Sequence, residues 1–120
     1  MSAIPIFIIS DSIGETARTV IAAVNAQFPA SVTLKIQRFP FITDQKTLTP
    51  ILQDAHQEQA IIVTTLVNHT LQETVTQFCQ AKHLTLIDPL SSLTTAISER
   101  SQTASLETPG SLRKLDEHYF

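Results

Sequence analysis

Polar side chains that could hold a small anion lie together near the start of the chain. The candidate anion- or phosphate-binding residues of this segment are Ser10, Asp11, Ser12, Gly14, Glu15 and Thr16. Hydroxyl groups at a helix start can bind phosphate together with free backbone N–H groups and the positive end of the helix dipole. The Asp11 carboxylate opposes this chemistry, because it would repel an anion unless it held a metal ion or a proton.

The same segment also fits a purely structural interpretation. Ser12 and Glu15 match the capping box S-x-x-E, in which both side chains accept backbone N–H groups at a helix start. Such a cap contributes about 1 kcal/mol to stability. Gly14 then serves a tight turn in which a Cβ would be unfavourable. The pattern leaves both interpretations open.

The elements around this segment predict an α/β fold. Apolar runs at residues 6–9 and 60–64 predict buried strands, the alternating run 32–39 predicts an edge strand, and residues 84–87 predict a fourth strand. Helical patterns separate the strands. The alternation predicts a Rossmann-like three-layer domain with a four-stranded parallel sheet in the order 2-1-3-4. The side chains expected to face inward from the first and last helices are Ala17, Val20, Ile21, Val24, Phe28, Leu93, Ala96 and Ile97.

This strand order places a ligand-sized crevice between the carboxyl ends of the first and third strands. α/β folds bind ligands at such a switch point. Thr64 ends the third strand, and Thr65 and Asn68 follow it; these three are the candidate anion-binding residues on that side. Asn68 is also expected to cap the next helix.

Composition excludes several classes of function. The chain contains two glycines, so a glycine-rich nucleotide loop is absent, and its net charge of −3 gives no basic surface for nucleic acid. One cysteine, Cys79, excludes an internal disulfide, and we expect it to be a buried hydrophobe. The scattered histidines predict no metal site. No apolar run approaches the ~18 residues of a membrane span, so we expect a cytoplasmic protein without membrane contact.

The composition changes near residue 100. We expect residues 1–100 to form the Rossmann-like domain and residues 101–120 to be a linker and the start of a further helix. Leu112, Leu115 and Tyr119 have helical spacing, and the pattern stops at Phe120. We therefore expect this chain to be the front part of a longer protein.

The most distinctive segments are ISDSIGETA at residues 9–17, RFPFI at 38–42, IVTTLV at 62–67 and PGSLRKLDEHYF at 109–120. Together they resemble the N-terminal half of the pyruvate, phosphate dikinase and phosphoenolpyruvate synthase regulatory proteins. The resemblance implies an ADP-dependent serine/threonine kinase that inactivates either client by threonine phosphorylation. It also implies a phosphorylase that removes the phosphate with inorganic phosphate, and a homodimeric full-length protein.

The family's P-loop, G-x-x-x-x-G-K-[ST], belongs to the second half of its members and does not occur in these residues. We therefore expect no catalytic residue and no cofactor here, whereas the full-length protein would use ADP and inorganic phosphate. We expect residues 1–120 to form a module for binding or assembly, with Arg38, Phe39 and Phe41 as candidate contacts to the client enzyme. The alternative is a free-standing flavodoxin-like or small-anion-binding protein.

Overall fold

Strands and helices alternate throughout the part of the chain that the computed structural model describes, residues 3–104. The elements are β1 (Ile4–Ile9), α1 (Glu15–Asn25), β2 (Leu34–Phe39), α2 (Gln45–Glu58), β3 (Ile61–Thr64), α3 (His69–Lys82), β4 (Leu86–Ile87) and α4 (Ser91–Ser101). The strands form one parallel sheet in the order β2-β1-β3-β4. The predicted fold class and strand order are confirmed. The helix predicted after Gly110 lies outside the described residues.

The face of the sheet covered by α2 and α3 carries the larger hydrophobic core. Phe7 of β1 is 1% exposed, and its ring lies 5.0 Å from that of Phe39 between centroids. Leu48 and Leu52 from α2 and Val75 from α3 pack into the same cluster and are buried. The helical spacing of apolar residues in α2 and α3 predicts these contacts, because residues four apart share one helix face.

The opposite face carries a smaller cluster. Its buried members are Ile6, Ile8, Ala17, Ile21 and Val63. The prediction that further apolar side chains face inward here is wrong, since Val20 and Val24 of α1 are 36% and 54% exposed and Phe28, which lies beyond the end of α1, is 55% exposed. Periodicity shows which residues share a helix face but not how wide a surface packs against it. In α1 only the line through Ala17 and Ile21 lies on the sheet.

Helix α4 also differs from expectation. It has no buried residue, and Leu93 and Ile97 are 64% and 58% exposed, so the predicted inward packing of both is wrong. Ala96 is partly buried. Within residues 3–104, none of the helices is both long and apolar enough to cross a membrane.

Candidate functional site

The loop between β1 and α1 lies at the carboxyl edge of the sheet, where the loop after β2 is hydrogen-bonded to it. Ser10 N–H donates to the Phe39 carbonyl at 3.1 Å, and Ile42 N–H returns a bond to the Ser10 carbonyl at 2.9 Å. Phe41 N–H donates to the Ser12 carbonyl at 3.0 Å. Phe41 has a φ of 57°, a left-handed conformation that is uncommon for a bulky residue. The two loops therefore form one backbone-bonded unit.

The Asp11 carboxylate joins the same loop to the segment that follows β3. Its Oδ2 accepts the N–H of Val67 at 2.9 Å and the N–H of Asn68 at 3.4 Å. Asp11 is 7% exposed, so these bonds form in a partly desolvated place. The negative charge of Asp11 is thus partly satisfied by the backbone N–H groups that precede α3. This arrangement weakens the repulsion that the sequence predicts between Asp11 and an anion at the start of α1.

The amino end of α1 has free backbone donors. Gly14 is the N-cap, with a φ of 83°, and no side chain caps the helix. The first helical bond runs from Arg18 N–H to the Gly14 carbonyl at 3.1 Å. By helix geometry the N–H groups of Glu15, Thr16 and Ala17 have no acceptor within the helix. Three backbone donors therefore point out of the helix start.

The capping-box interpretation of this segment is wrong. The helix begins after Gly14 rather than after Ser12, so Ser12 is too far from the first turn to cap it. Ser12 N–H instead donates to Ser10 Oγ at 3.1 Å. The Glu15 carboxylate faces two guanidinium groups, those of Arg38 at 3.4 Å and Arg18 at 3.6 Å.

Arg38 is the penultimate residue of β2, and its side chain reaches Glu15 at the start of α1. A Cβ added to Gly14 would be 3.7 Å from the Arg38 Cδ, which places the arginine side chain beside the loop. Its ion pair with Glu15 joins two exposed side chains and is therefore weak. Of the other two candidate client contacts, Phe39 packs against the core cluster and Phe41 is 62% exposed. Of the three candidate contacts, Phe39 is therefore engaged in the core, whereas Arg38 and Phe41 remain accessible to a partner.

The three candidate residues at the end of β3 and after it do not all face the neighbouring loop. Thr64 is fully buried, and its hydroxyl donates to Gln72 Oε1 at 3.1 Å while accepting the Leu66 N–H at 3.3 Å. Thr65 is 6% exposed. Asn68 caps α3 by accepting the Leu71 N–H at 3.0 Å, which confirms its predicted capping role. The sequence thus located these residues at the right edge of the sheet without showing that Thr64 faces inward.

Asp88 continues the polar network behind Thr64. The Gln72 amide donates to its Oδ2 at 2.8 Å, and the N–H groups of Leu90 and Ser91 donate to its Oδ1 at 3.1 and 3.2 Å. Burial raises the pKa of Asp88 above its ordinary 3.8, although the two backbone bonds oppose the shift. The folded chain therefore holds this proton to higher pH than the unfolded chain. Consequently, the stabilising contribution of Asp88 declines as pH rises from 3.8 through its raised pKa.

The comparisons with known proteins decide the family. The family model described as "Kinase/pyrophosphorylase" matches residues 6–120. The chain belongs to this family. It is 97% identical over its whole length to a pyruvate, phosphate dikinase regulatory protein 2 of Latilactobacillus sakei subsp. sakei (strain 23K), of which it covers 45%. Over 96% of the chain it is 42% identical to a Listeria welshimeri relative and 37% identical to a Streptococcus sanguinis relative, both named as pyruvate, phosphate dikinase regulatory proteins.

The chain spans less than half the length of these kinase/pyrophosphorylase relatives, namely 45%, 43% and 42%. Among residues 3–104, no group of three or more His, Cys, Asp or Glu side chains could hold a metal ion. Cys79 is 3% exposed, and burial raises the pKa of its thiol, which disfavours the nucleophilic thiolate.

Sequence reasoning missed three contributors to this site. Val67 donates to Asp11 through its backbone, which side-chain chemistry does not reveal. Gln72 and Asp88 lie behind Thr64 and hold it inward. For Arg38, already a candidate client contact, the sequence does carry a signal: it lies one residue before the end of the strand predicted beside β1, and parallel neighbours end at the same edge.

Proposed function

We propose that the chain is the non-catalytic part of a regulator that phosphorylates a threonine of pyruvate, phosphate dikinase with ADP and removes the phosphate with inorganic phosphate. The family match over residues 6–120 carries this proposal. The names of the relatives favour the dikinase over the synthase as client. The 120 residues contain no G-x-x-x-x-G-K-[ST] loop, whose amides and lysine hold transferring phosphates, so catalysis is assigned to the rest of the longer relatives.

A competition assay with purified dikinase tests this division of roles. We expect the 120-residue chain with ADP to transfer no phosphate to the dikinase. In excess, it should slow phosphorylation by the full-length Latilactobacillus sakei relative, because both proteins would bind the same client surface. An α/β protein of similar size from another family serves as control. Phosphate transfer by the chain alone, or an unchanged rate at saturating chain, contradicts the proposal.

We further infer that the start of α1 binds a phosphate group, either free or on the client's phosphothreonine. The N–H groups of the first turn and the Arg38 guanidinium, whose ion pair with Glu15 joins two exposed side chains, support an anion at this point, and the hydroxyl residues Ser12 and Thr16 flank the turn in sequence. The bonds from Val67 and Asn68 to the Asp11 carboxylate weaken the main objection, which is the repulsion between Asp11 and an anion. This proposal favours the anion-binding interpretation of the loop over a purely architectural one.

A specific observation favours a second role for the adjoining loop. Phe41 is 62% exposed and is held in a left-handed conformation by its bond to the Ser12 carbonyl. An exposed aromatic ring on a backbone-bonded loop is suited to protein contact. We propose Phe41, with Arg38, as a contact for the client. The homodimer and the cytoplasmic location proposed for the full-length protein follow from the resemblance and the composition.

Thermal unfolding with added ligand tests the anion site. We expect millimolar phosphate, pyrophosphate or ADP to raise Tm, because a ligand at ten times its Kd stabilises the native state by about 1.4 kcal/mol. Arg38→Ala should reduce the shift, whereas the matched Arg100→Ala, an exposed arginine on α4, should not. Ser12→Ala should also reduce the shift while remaining folded, since Ser12 does not cap α1. An unchanged Tm at equal ionic strength contradicts the site.

A further inference from the structure

Exposed hydrophobic side chains are concentrated on the side of the sheet that α1 covers. Among the described residues, six large hydrophobics on this side are 36–55% exposed: Ile4, Val20, Val24, Phe28, Ile36 and Ile87. We call this set the α1 face. Exposed apolar side chains grouped on one side of a domain mark an interaction site more often than single exposed residues do.

Strand register places both outer strands in the α1 face. Ile36 of β2 is paired with Ile6, and Ile87 of β4 is paired with Val63. Register partners in a parallel sheet project to the same side. Ile6 and Val63 belong to the small cluster under α1, so Ile36 and Ile87 extend that apolar surface on either side of it. They are 44% and 45% exposed.

The two faces of the sheet are unequally covered. On the opposite face, α2 and α3 pack against the sheet and against each other, and the larger cluster is buried there. On the α1 face, one helix supplies Ala17 and Ile21 over a sheet of four strands. All-parallel sheets normally have both faces covered. The α1 face therefore requires further apolar cover.

We propose that the α1 face is the docking surface for the remainder of the longer polypeptide found in the regulatory-protein relatives. The Latilactobacillus sakei relative is 97% identical to this chain, which makes up 45% of it, so more than half of that protein lies outside the matched residues. A tethered segment meets the face at an effective concentration in the millimolar range. A second copy has no such advantage in dilute solution. The proposal rests on family membership and not on the anion site.

The chemistry of the face defines what the docking segment presents. Charged groups border the α1 face at the end beside the β1–α1 loop, where Glu15 pairs with both Arg18 and Arg38. Away from that end, the α1 face consists of its six apolar side chains, with the polar Thr19 and Asn25 also exposed on α1. The docking segment therefore presents an apolar helix or strand face, and its polar side chains lie towards the loop.

Cysteine labelling of the chain and of the full-length Latilactobacillus sakei relative tests the proposal. Val24→Cys and Ile36→Cys report on the α1 face, and Gln57→Cys, exposed on α2, is the control. Alkylation by iodoacetamide is followed for each peptide by mass spectrometry, which separates the buried Cys79. We expect the two reporters to react about tenfold or more slowly in the full-length protein, because a covered thiol reacts only after local opening. The control should react equally in both proteins.

Equal and fast labelling of the reporters in both proteins overturns the proposal. Protection that appears in the 120-residue chain as its concentration rises also overturns it, since a second copy is then the occupant. Reporters that react slowly in the 120-residue chain at every concentration assign the cover to residues of that chain, which is a third contrary result. The absence of a Tm shift with phosphate, in the thermal unfolding experiment above, would not affect any of these results, because the labelling does not depend on the anion site.

Discussion

Phe7→Ala is expected to lower the free energy of unfolding by about 3–5 kcal/mol, the range for removing a large aromatic side chain from a core. Phe7 is 1% exposed at the centre of the sheet, and its ring contacts that of Phe39. The cavity would lie between the sheet and the helices α2 and α3, where the larger cluster is packed. Urea denaturation of the two proteins measures the difference.

Phe28→Ala is the matched control, because it removes the same side chain from a position that is 55% exposed. We expect its effect to stay within about 0.5 kcal/mol, as for most surface substitutions. Equal losses for the two variants would mean that the α1 side of the sheet is packed as tightly as the other side. That result would contradict the unequal burial described above.

Asp11→Ala is expected to lower the free energy of unfolding by about 1.5–3 kcal/mol, the range for a hydrogen bond to a charged group. The substitution leaves the N–H groups of Val67 and Asn68 without their acceptor. The loop after β3 would then be held less firmly against the loop after β1. Urea denaturation measures the stability, and hydrogen exchange of the Val67 and Asn68 amides should become faster.

Asp54→Ala is the control for this variant, because Asp54 is an exposed acid on α2. Its effect should be small, and it should leave the exchange of Val67 unchanged. Asp11→Asn keeps an acceptor oxygen but removes the charge, so we expect an intermediate loss of stability. Unaltered exchange of Val67 in Asp11→Ala would show that the bridge between the loops does not constrain them.

The strand order and the edge that carries the site followed from the sequence. Continuous apolar runs marked β1 and β3 as central, and alternation marked β2 as an edge strand, which the topology confirms. Asn68 was recognised as a cap because a side-chain acceptor directly before an apolar helical pattern is a local signal. Such features depend on residues close in sequence or on general rules of chain connection.

The features that sequence did not reveal depend on contacts between distant parts of the chain. Ser12 and Glu15 match a local capping pattern, yet the helix starts later, after Gly14. In the folded chain, the loop that contains Ser12 is hydrogen-bonded to Phe41 and Ile42, and Glu15 contacts Arg38. The exposure of Val24 depends on what lies opposite α1, which periodicity does not encode. The partners of Asp11 are backbone groups more than fifty residues away.

Asp11 gives the crevice an internal counter-ion. Two helices begin at this edge of the sheet, and each amino end carries a partial positive charge of about half an elementary charge. The carboxylate belongs to the loop before α1 yet binds the N–H groups immediately before α3, so the chain itself supplies an anion to one of the two helix ends. The start of α1 has no side-chain cap, and its first-turn acid, Glu15, faces the Arg38 and Arg18 guanidinium groups. An anion bound at this edge, as proposed above, would therefore find the α3 end already occupied by a carboxylate, which leaves the α1 end as the place for it.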